Sequence, residues 1–402
     1  MSRVREGHSV LAIHGGAPIR GTLLPYGRQW INEDEIQAVV QVLRSDWITT
    51  GPKVAEFEEA FASYVGAAHA VAVSSGTAAL HAAVFAAGIG PGDEVIVPAL
   101  TFAASANCVR YQGGTVVFAD VRRDTLCMDP ACVAAAITPR TRAIITVDYT
   151  GQPSDLEELS GLARRHSLVL IEDACHALGA TYRGKRIGGL ADLTAFSLHP
   201  VKHITSGEGG VVTTQDAALA DRLRRFRNHG ITSEARQRET AGSWFYEMVD
   251  LGYNYRLTDF QCALALNQLK MLDGWLARRR QMASWYLEEL ARVPELELLA
   301  IRHDRESAWH LFVVRLALQR LCADRAEIFR ALRAENIGVN VHYIPVPWHP
   351  YYQRLGYQRG AWPVAEDAYA RLLTLPLFPA MTDGDAMDVV AALRKVLSAY
   401  RK

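Results

Sequence analysis

The chain lacks net charge, paired cysteines and any long apolar run. Its 43 lysines and arginines are balanced by 43 aspartates and glutamates, so no overall field draws it to nucleic acid or an anionic membrane, and any anion must be met locally. The six cysteines (Cys108, Cys127, Cys132, Cys175, Cys262, Cys322) are scattered, with no CxxC pair and no spacing that suits a zinc site or a disulfide framework. A reducing, cytoplasmic setting is the expectation. The opening MSRVREGHSV has no apolar core of the kind a signal peptide needs, and no later apolar stretch spans a bilayer without charges or turn residues. No repeat or low-complexity tract interrupts the 402 residues. Hydrophobic residues are abundant, at 50%. At this length that excludes a disordered or fibrous chain and supports one large domain with a smaller partner.

From His69 onward, short apolar runs (AVAV, EVIVP, TVVFAD, RAIITVDY, LVLIED) alternate with amphipathic stretches such as TAALHAAVFAAG and LEELSGLARRH. This predicts strands and helices in turn, an α/β fold with a large, mostly parallel sheet covered on both faces and a ligand at the carboxyl ends of the strands. The segment ITSEARQRETAGSWFYEM has no clean period and reads as a loop that is mobile or covered by a partner. TDFQCALALNQLKMLDGWLARRRQMASWYLEELARV predicts one long helix linking two domains, while AWHLFVVRL and GVNVHYIP predict strands. The expected division is an N-terminal arm over 1–25, a large domain over 26–270 and a smaller α/β domain over 271–402.

Four places carry chemistry. Lys202, in FSLHPVKHITSGEGG, directly follows a predicted strand, where burial would lower the pKa of its amine and suit it to Schiff-base formation. Taken alone, it also reads as an ordinary solvated lysine. Asp173 ends the apolar strand of IEDACHA, where a carboxylate needs a cation such as the protonated ring nitrogen of pyridoxal phosphate, or else serves as a cap or salt bridge. The adjacent Glu172 reads as structural. SSGTAAL opens a helix and suits a phosphate, with Ser197 close enough to add a hydroxyl. Phe102, in TFAASAN, offers a flat face for a ring to stack on, or simply fills core.

Together these motifs resemble the DegT/StrS-type sugar aminotransferases, which are fold type I, aspartate-aminotransferase-like enzymes that use pyridoxal 5'-phosphate. The resemblance runs from WITTGPKVAEFEEAFASYVG to GVNVHYIP with the motifs in the family's order. It implies that Lys202 carries the cofactor covalently, that Asp173 faces the pyridinium nitrogen, and that Phe102 stacks on the ring. It further implies that Gly76, Thr77 and Ser197 hold the phosphate, with Asn254 of GYNYRLTD reaching a neighbouring subunit's site in a homodimer. Some relatives carry histidine in place of this lysine and act as dehydratases; Lys202 therefore favours transamination.

His176, where many members have glutamine, and VDYTGQ at 147–152, where many have a histidine, resemble the branch that makes UDP-4-amino-4,6-dideoxy-N-acetyl-β-L-altrosamine for pseudaminic acid. That likeness puts His176 beside the cofactor's phenolic oxygen. It puts sugar-nucleotide contacts at Tyr26, Asp46, Trp47, Ile48, Thr49, Asn254, Val341, His342, Tyr343 and Ile344, and leaves Arg256 divided between a diphosphate and a structural salt bridge. The implied reaction moves an amino group from L-glutamate to a 4-keto-6-deoxy nucleotide sugar. Two other readings stay open: a GDP- or dTDP-linked or 3-keto sugar as acceptor, or a non-catalytic pyridoxal-phosphate-binding regulator. Against the regulator, no basic helix-turn-helix segment is visible. His199 and His203 flank the lysine with no assigned role.

Overall fold

The computed structural model describes residues 10–233, 238 and 240–402. The expectation for MSRVREGHS, most of the arm's first stretch and residues 234–237 and 239 of the polar loop lie outside the described residues.

The strands are β1 (His69–Val73), β2 (Glu94–Pro98), β3 (Thr115–Ala119), β4 (Thr141–Val147), β5 (Val169–Asp173), β6 (Thr181–Tyr182) and β7 (Lys185–Arg186). They continue with β8 (Leu193–Ser197), β9 (Gly210–Thr214), β10 (Leu296–Leu298), β11 (Arg305–Glu306), β12 (Phe312–Leu316) and β13 (Leu372–Leu375). Seven of them form the main sheet in the order β1-β9-β8-β5-β4-β2-β3. Within it, β9 runs antiparallel to both neighbours while β8, β5, β4, β2 and β3 are mutually parallel. EVIVP of β2 is buried along its whole length, as a central strand covered on two faces must be. The parallel strands therefore end along one edge, which brings the carboxyl ends of β5 and β8, at Asp173 and Ser197, next to each other.

The helices that matter for that edge are α1 (Glu33–Leu43), α2 (Pro52–Val65), α3 (Gly76–Ala86), α4 (Ala104–Tyr111), α5 (Pro130–Ala136), α6 (Leu156–His166), α7 (Ala217–Arg227) and α8 (Asp259–Leu290). The last begins at a capping box in which Thr258 and Gln261 satisfy each other's backbone donors. It runs 32 residues, roughly 48 Å at 1.5 Å per residue. Its N-terminal part, through Leu276, buries Leu272, Trp275 and Leu276 against the main sheet's flank. Its second half buries Met282, Tyr286 and Leu290 in a separate core, built on the antiparallel sheet β10-β12-β13 and the helix Asp383–Ala399. One continuous helix thus links two cores, and residue 270 lies inside it.

GVNVHYIP does not form the expected strand. Its alternating pattern is satisfied by a single bridge, Asn340 to Thr374. Immediately after it the Asn340 side chain accepts the Val341 N–H at 2.8 Å, which takes the donor a ladder would need. The chain leaves the sheet there and runs on to the edge where β5 and β8 end.

Candidate active site

A cavity of about 400 Å³ opens at that edge, lined by Tyr26, Gly76, Thr77, Phe102, Asp173, His176, Ser197, Lys202, His342 and Tyr343 among others. One end is the start of α3. Ser75 caps it by accepting the Ala78 N–H at 3.0 Å, so the first backbone donors of the helix, with their partial positive charge, face the cavity. Gly76 is required there. A Cβ on it would lie 2.8 Å from the Ser197 Cβ and 3.0 Å from its hydroxyl oxygen, and the Ser197 hydroxyl would be pushed from the helix end.

The floor is acidic and tightly held. Asp173 is buried; Ser105 donates its hydroxyl to Oδ2 at 2.6 Å, and the Cys175 N–H donates to Oδ1 at 3.2 Å. Thr101 shares a hydrogen bond of 2.8 Å with Ser105 in turn. Beneath Asp173, Glu172 accepts from the Thr194 hydroxyl at 3.0 Å and Asp148 accepts from the Ser154 N–H at 2.8 Å. Their remaining oxygens, Oε1 and Oδ2, are buried with no hydrogen-bond partner, and the two carboxyls act on each other's ionisation. Such a pair must share a proton. Burial is the main cause that raises both pKa values, with Asp148 reaching about 7.

Lys202 projects its amine into the same space. Burial lowers its pKa, with the charges of Cys175 and Asp173 acting the other way. The Cys175 thiol is itself pushed well up by burial, so of the two only Asp173 is an effective anion. Around the amine stands a group of imidazoles. The His310 Nε2 is 3.4 Å from Nζ, the His176 and His310 rings lie 4.5 Å apart, and the Tyr343 hydroxyl meets the His176 Nε2 at 3.0 Å. Burial first, and Lys202 second, hold His176 and His310 far below the ordinary histidine range. His203 is turned away, its Nε2 against the Ala308 carbonyl at 3.0 Å, and serves the fold.

Phe102 leaves 57% of its surface exposed and lies 5.8 Å from the Tyr343 ring, so a flat face is available at the cavity wall. Asp46, Trp47, Ile48, Thr49, Asn254, Arg256, Val341 and Ile344 are not among the cavity's lining residues. Trp47 borders a groove between α1, α2 and α8. Thr49 and Arg256 border another cavity beside α7, where Arg256 donates to the Asn228 Oδ1 at 2.7 Å. Three contributors to the floor and wall, Ser105, Glu208 and His310, had no sequence signal beyond their places in TFAASAN, FSLHPVKHITSGEGG and AWHLF.

The model of the DegT/DnrJ/EryC1/StrS aminotransferase family matches residues 29–394. The chain belongs to that family. It is 44% identical over 381 residues to the spore coat polysaccharide biosynthesis protein SpsC of Bacillus subtilis, covering 94% of this chain and 98% of that protein. Among solved structures it resembles the sugar aminotransferase Spr1654 of Streptococcus pneumoniae in its PLP form, at 32% identity and a TM-score of 0.87, covering 94% of this chain and 99% of that one. It also resembles Helicobacter pylori PseC, an aminotransferase of pseudaminic acid biosynthesis, at 29% identity and a TM-score of 0.88, covering 94% of this chain and 100% of that one.

Family members use pyridoxal phosphate, and the cavity fits it. A phosphate suits the α3 end with its glycine and serine, a protonated ring nitrogen suits the buried Asp173, and a flat ring suits Phe102. No helix is long and apolar enough to cross a membrane among the described residues.

Proposed function

We propose that this DegT/StrS-family aminotransferase moves an amino group from L-glutamate to a 4-keto-6-deoxy nucleotide sugar, UDP-linked, giving UDP-4-amino-4,6-dideoxy-N-acetyl-β-L-altrosamine. The observation that carries the transaminase reading is a buried lysine amine, lowered in pKa, in one cavity with the hydrogen-bonded carboxylate Asp173 and the open end of α3. In this reading Lys202, Asp173, Phe102 and His176 hold the ring of the cofactor, and Gly76, Thr77 and Ser197 hold its phosphate. The cofactor supplies an electron sink that stores the amino group between the two half-reactions.

The chain's own groups do the rest. Lys202 Nζ, uncharged, takes the proton from the α-carbon of the amino donor, and in the second half-reaction delivers a proton to C4 of the sugar. Asp173 holds a fixed negative charge opposite the ring nitrogen. His176 and Tyr343 stay neutral, since burial pushes the imidazole down and the phenol up, and a neutral wall leaves the lysine as the proton carrier. In this reading Tyr26, His342 and Tyr343, which line the cavity, meet the sugar, with Val341 and Ile344 in the same segment. Asp46, Trp47, Ile48, Thr49, Asn254 and Arg256 fit a role at the neighbouring subunit's cavity. Exposed apolar residues at 244–251, with Trp244 at 84% and Leu251 at 77%, support a homodimer in which they are covered. Six free cysteines suit a cytoplasmic enzyme.

The likeness to PseC supports the UDP-linked sugar. The higher identity to SpsC favours a second reading, another keto nucleotide sugar as acceptor. A panel of UDP-, GDP- and dTDP-linked 4-keto and 3-keto sugars with glutamate as donor decides between them. Loss of the cofactor's near-ultraviolet and visible signature change on adding glutamate alone would sink transamination altogether and leave a pyridoxal-phosphate-binding regulator.

A further inference from the structure

We propose that His310, with Arg279 holding its backbone, is a positioning residue for Lys202: it donates its Nε2–H to the lone pair of the free amine, keeping that amine uncharged and aimed into the cavity. The inference rests on Lys202 being the cofactor lysine.

Arg279 comes first. It sits at the middle of α8, where the helix passes from one core to the other, and is 2% exposed. Its Nη1 donates to the carbonyls of Trp309, His310 and Leu377 at 3.1, 3.3 and 2.8 Å. A guanidinium buried without a carboxylate is costly, and this one spends its donors on the backbone that carries His310. The turn is further tightened by the Ser307 hydroxyl, which accepts the Trp309 N–H at 3.0 Å.

The tautomer follows from counting donors. His310 is 5% exposed, its Nδ1 has no partner, and its Nε2 faces the Lys202 Nζ at 3.4 Å. With the proton on Nδ1, a buried N–H would be orphaned. With the proton on Nε2, only a bare ring nitrogen lacks a partner, which is the milder case. Nε2–H therefore points at the amine, and it can be accepted only by an uncharged amine, because an ammonium has no lone pair.

The surrounding charges agree. The amine faces Asp173, Cys175 and His176 from the end of β5, His199 from its own loop, His310 from the approach to β12, and His342 and Tyr343 from the segment after Asn340, while the neighbouring His203 is turned to the Ala308 carbonyl. Asp173 pulls toward the charged lysine. The neutral imidazole donor, with the Arg279 cation disfavouring any imidazolium at His310, pulls the other way.

The test uses the protein freed of cofactor. Competitive trace acetylation across pH, read at Lys202 by mass spectrometry, gives the midpoint of its amine. In the wild type it should lie below the ordinary lysine value of 10.5. His310→Leu should raise it by roughly half to one pH unit, about the worth of one hydrogen bond. His310→Gln, whose amide can donate again, should bring it back toward the wild type, and Arg279→Met should raise it less than His310→Leu. A His310→Leu protein of wild-type circular dichroism with an unchanged or lower midpoint overturns the proposal. Nitrogen-15 NMR of the wild-type protein serves where that variant does not fold: Nε2–H at His310 is expected, and Nδ1–H overturns it. Neither readout involves bound cofactor, so failure here is separate from failure of Lys202 to carry the cofactor, which borohydride trapping reports.

Discussion

The floor and the rim of the cavity are built differently. On the floor, Asp173 and Ser197 end neighbouring strands of the main sheet, Ser105 of α4 donates to Asp173, Thr101 shares a hydrogen bond with Ser105, and Ser75 caps the start of α3. Outside the floor, Phe102 at the cavity wall, and Trp47, Ile48 and residues of the 244–253 stretch beyond its lining, keep large apolar surfaces exposed, and Asn254 and Arg256 are likewise not among the lining residues. Asp173 and Ser197 sit at the ends of strands whose backbone is ladder-bonded, which holds them in place. On the proposed reading, substrate selection and assembly fall to these exposed surfaces, which a second chain or a ligand would complete.

The sharpest break between the two is a floor substitution that stops turnover without touching assembly. Lys202→Ala should lower the rate of the glutamate half-reaction on the order of 10⁴-fold, measured by stopped-flow absorbance, with an unchanged oligomeric state by light scattering. Asp173→Asn removes the fixed charge and should cost roughly 100-fold or more in kcat; unchanged kinetics would remove Asp173 from the ring-nitrogen role. At the rim, Trp244→Ser with Leu251→Ser should shift the protein toward monomer and weaken cofactor retention about tenfold, while the monomer's own thermal midpoint stays the same. A stable dimer with both substitutions would show that this surface faces something else.

Two smaller effects sharpen the floor. Gly76→Ala forces its Cβ to within 2.8 Å of the Ser197 Cβ, so it should cost about 1–3 kcal/mol of stability and reduce phosphate affinity; calorimetry with inorganic phosphate reads the second. The Glu172–Asp148 pair sets a pH dependence. Both folded pKa values are raised, so the folded state binds more protons than the unfolded one. Stability then falls as pH rises above about 3.8, through the raised Asp148 value of about 7 and on as Glu172 ionises. Asp148→Asn, which can donate to Glu172 without a shared proton, should flatten that decline by about 1 kcal/mol between pH 5 and 8, read by urea unfolding at both.

Legibility followed the same division. The alternation of runs such as EVIVP and RAIITV with amphipathic stretches reports strands buried on two faces, and the long period of TDFQCALALNQLKML reports α8. Lys202 and Asp173 stood out because each follows or ends such a run. GVNVHYIP mimics a strand because Val-Asn-Val-His has a strand's period of two, and nothing local announces that the Asn340 side chain takes the next N–H. His310, 108 residues from Lys202 in the chain, and Arg279, in the middle of an ordinary-looking RRR run, carry no motif at all. Their relation to the lysine exists only once α8 has been packed across both cores.

The account stands most directly on where the cofactor is bonded. Protein loaded with pyridoxal phosphate, reduced with borohydride and digested, should show the cofactor's mass on the peptide containing Lys202 and on no other. A reduced adduct on a different lysine, or none in a protein that still retains the cofactor, would contradict it.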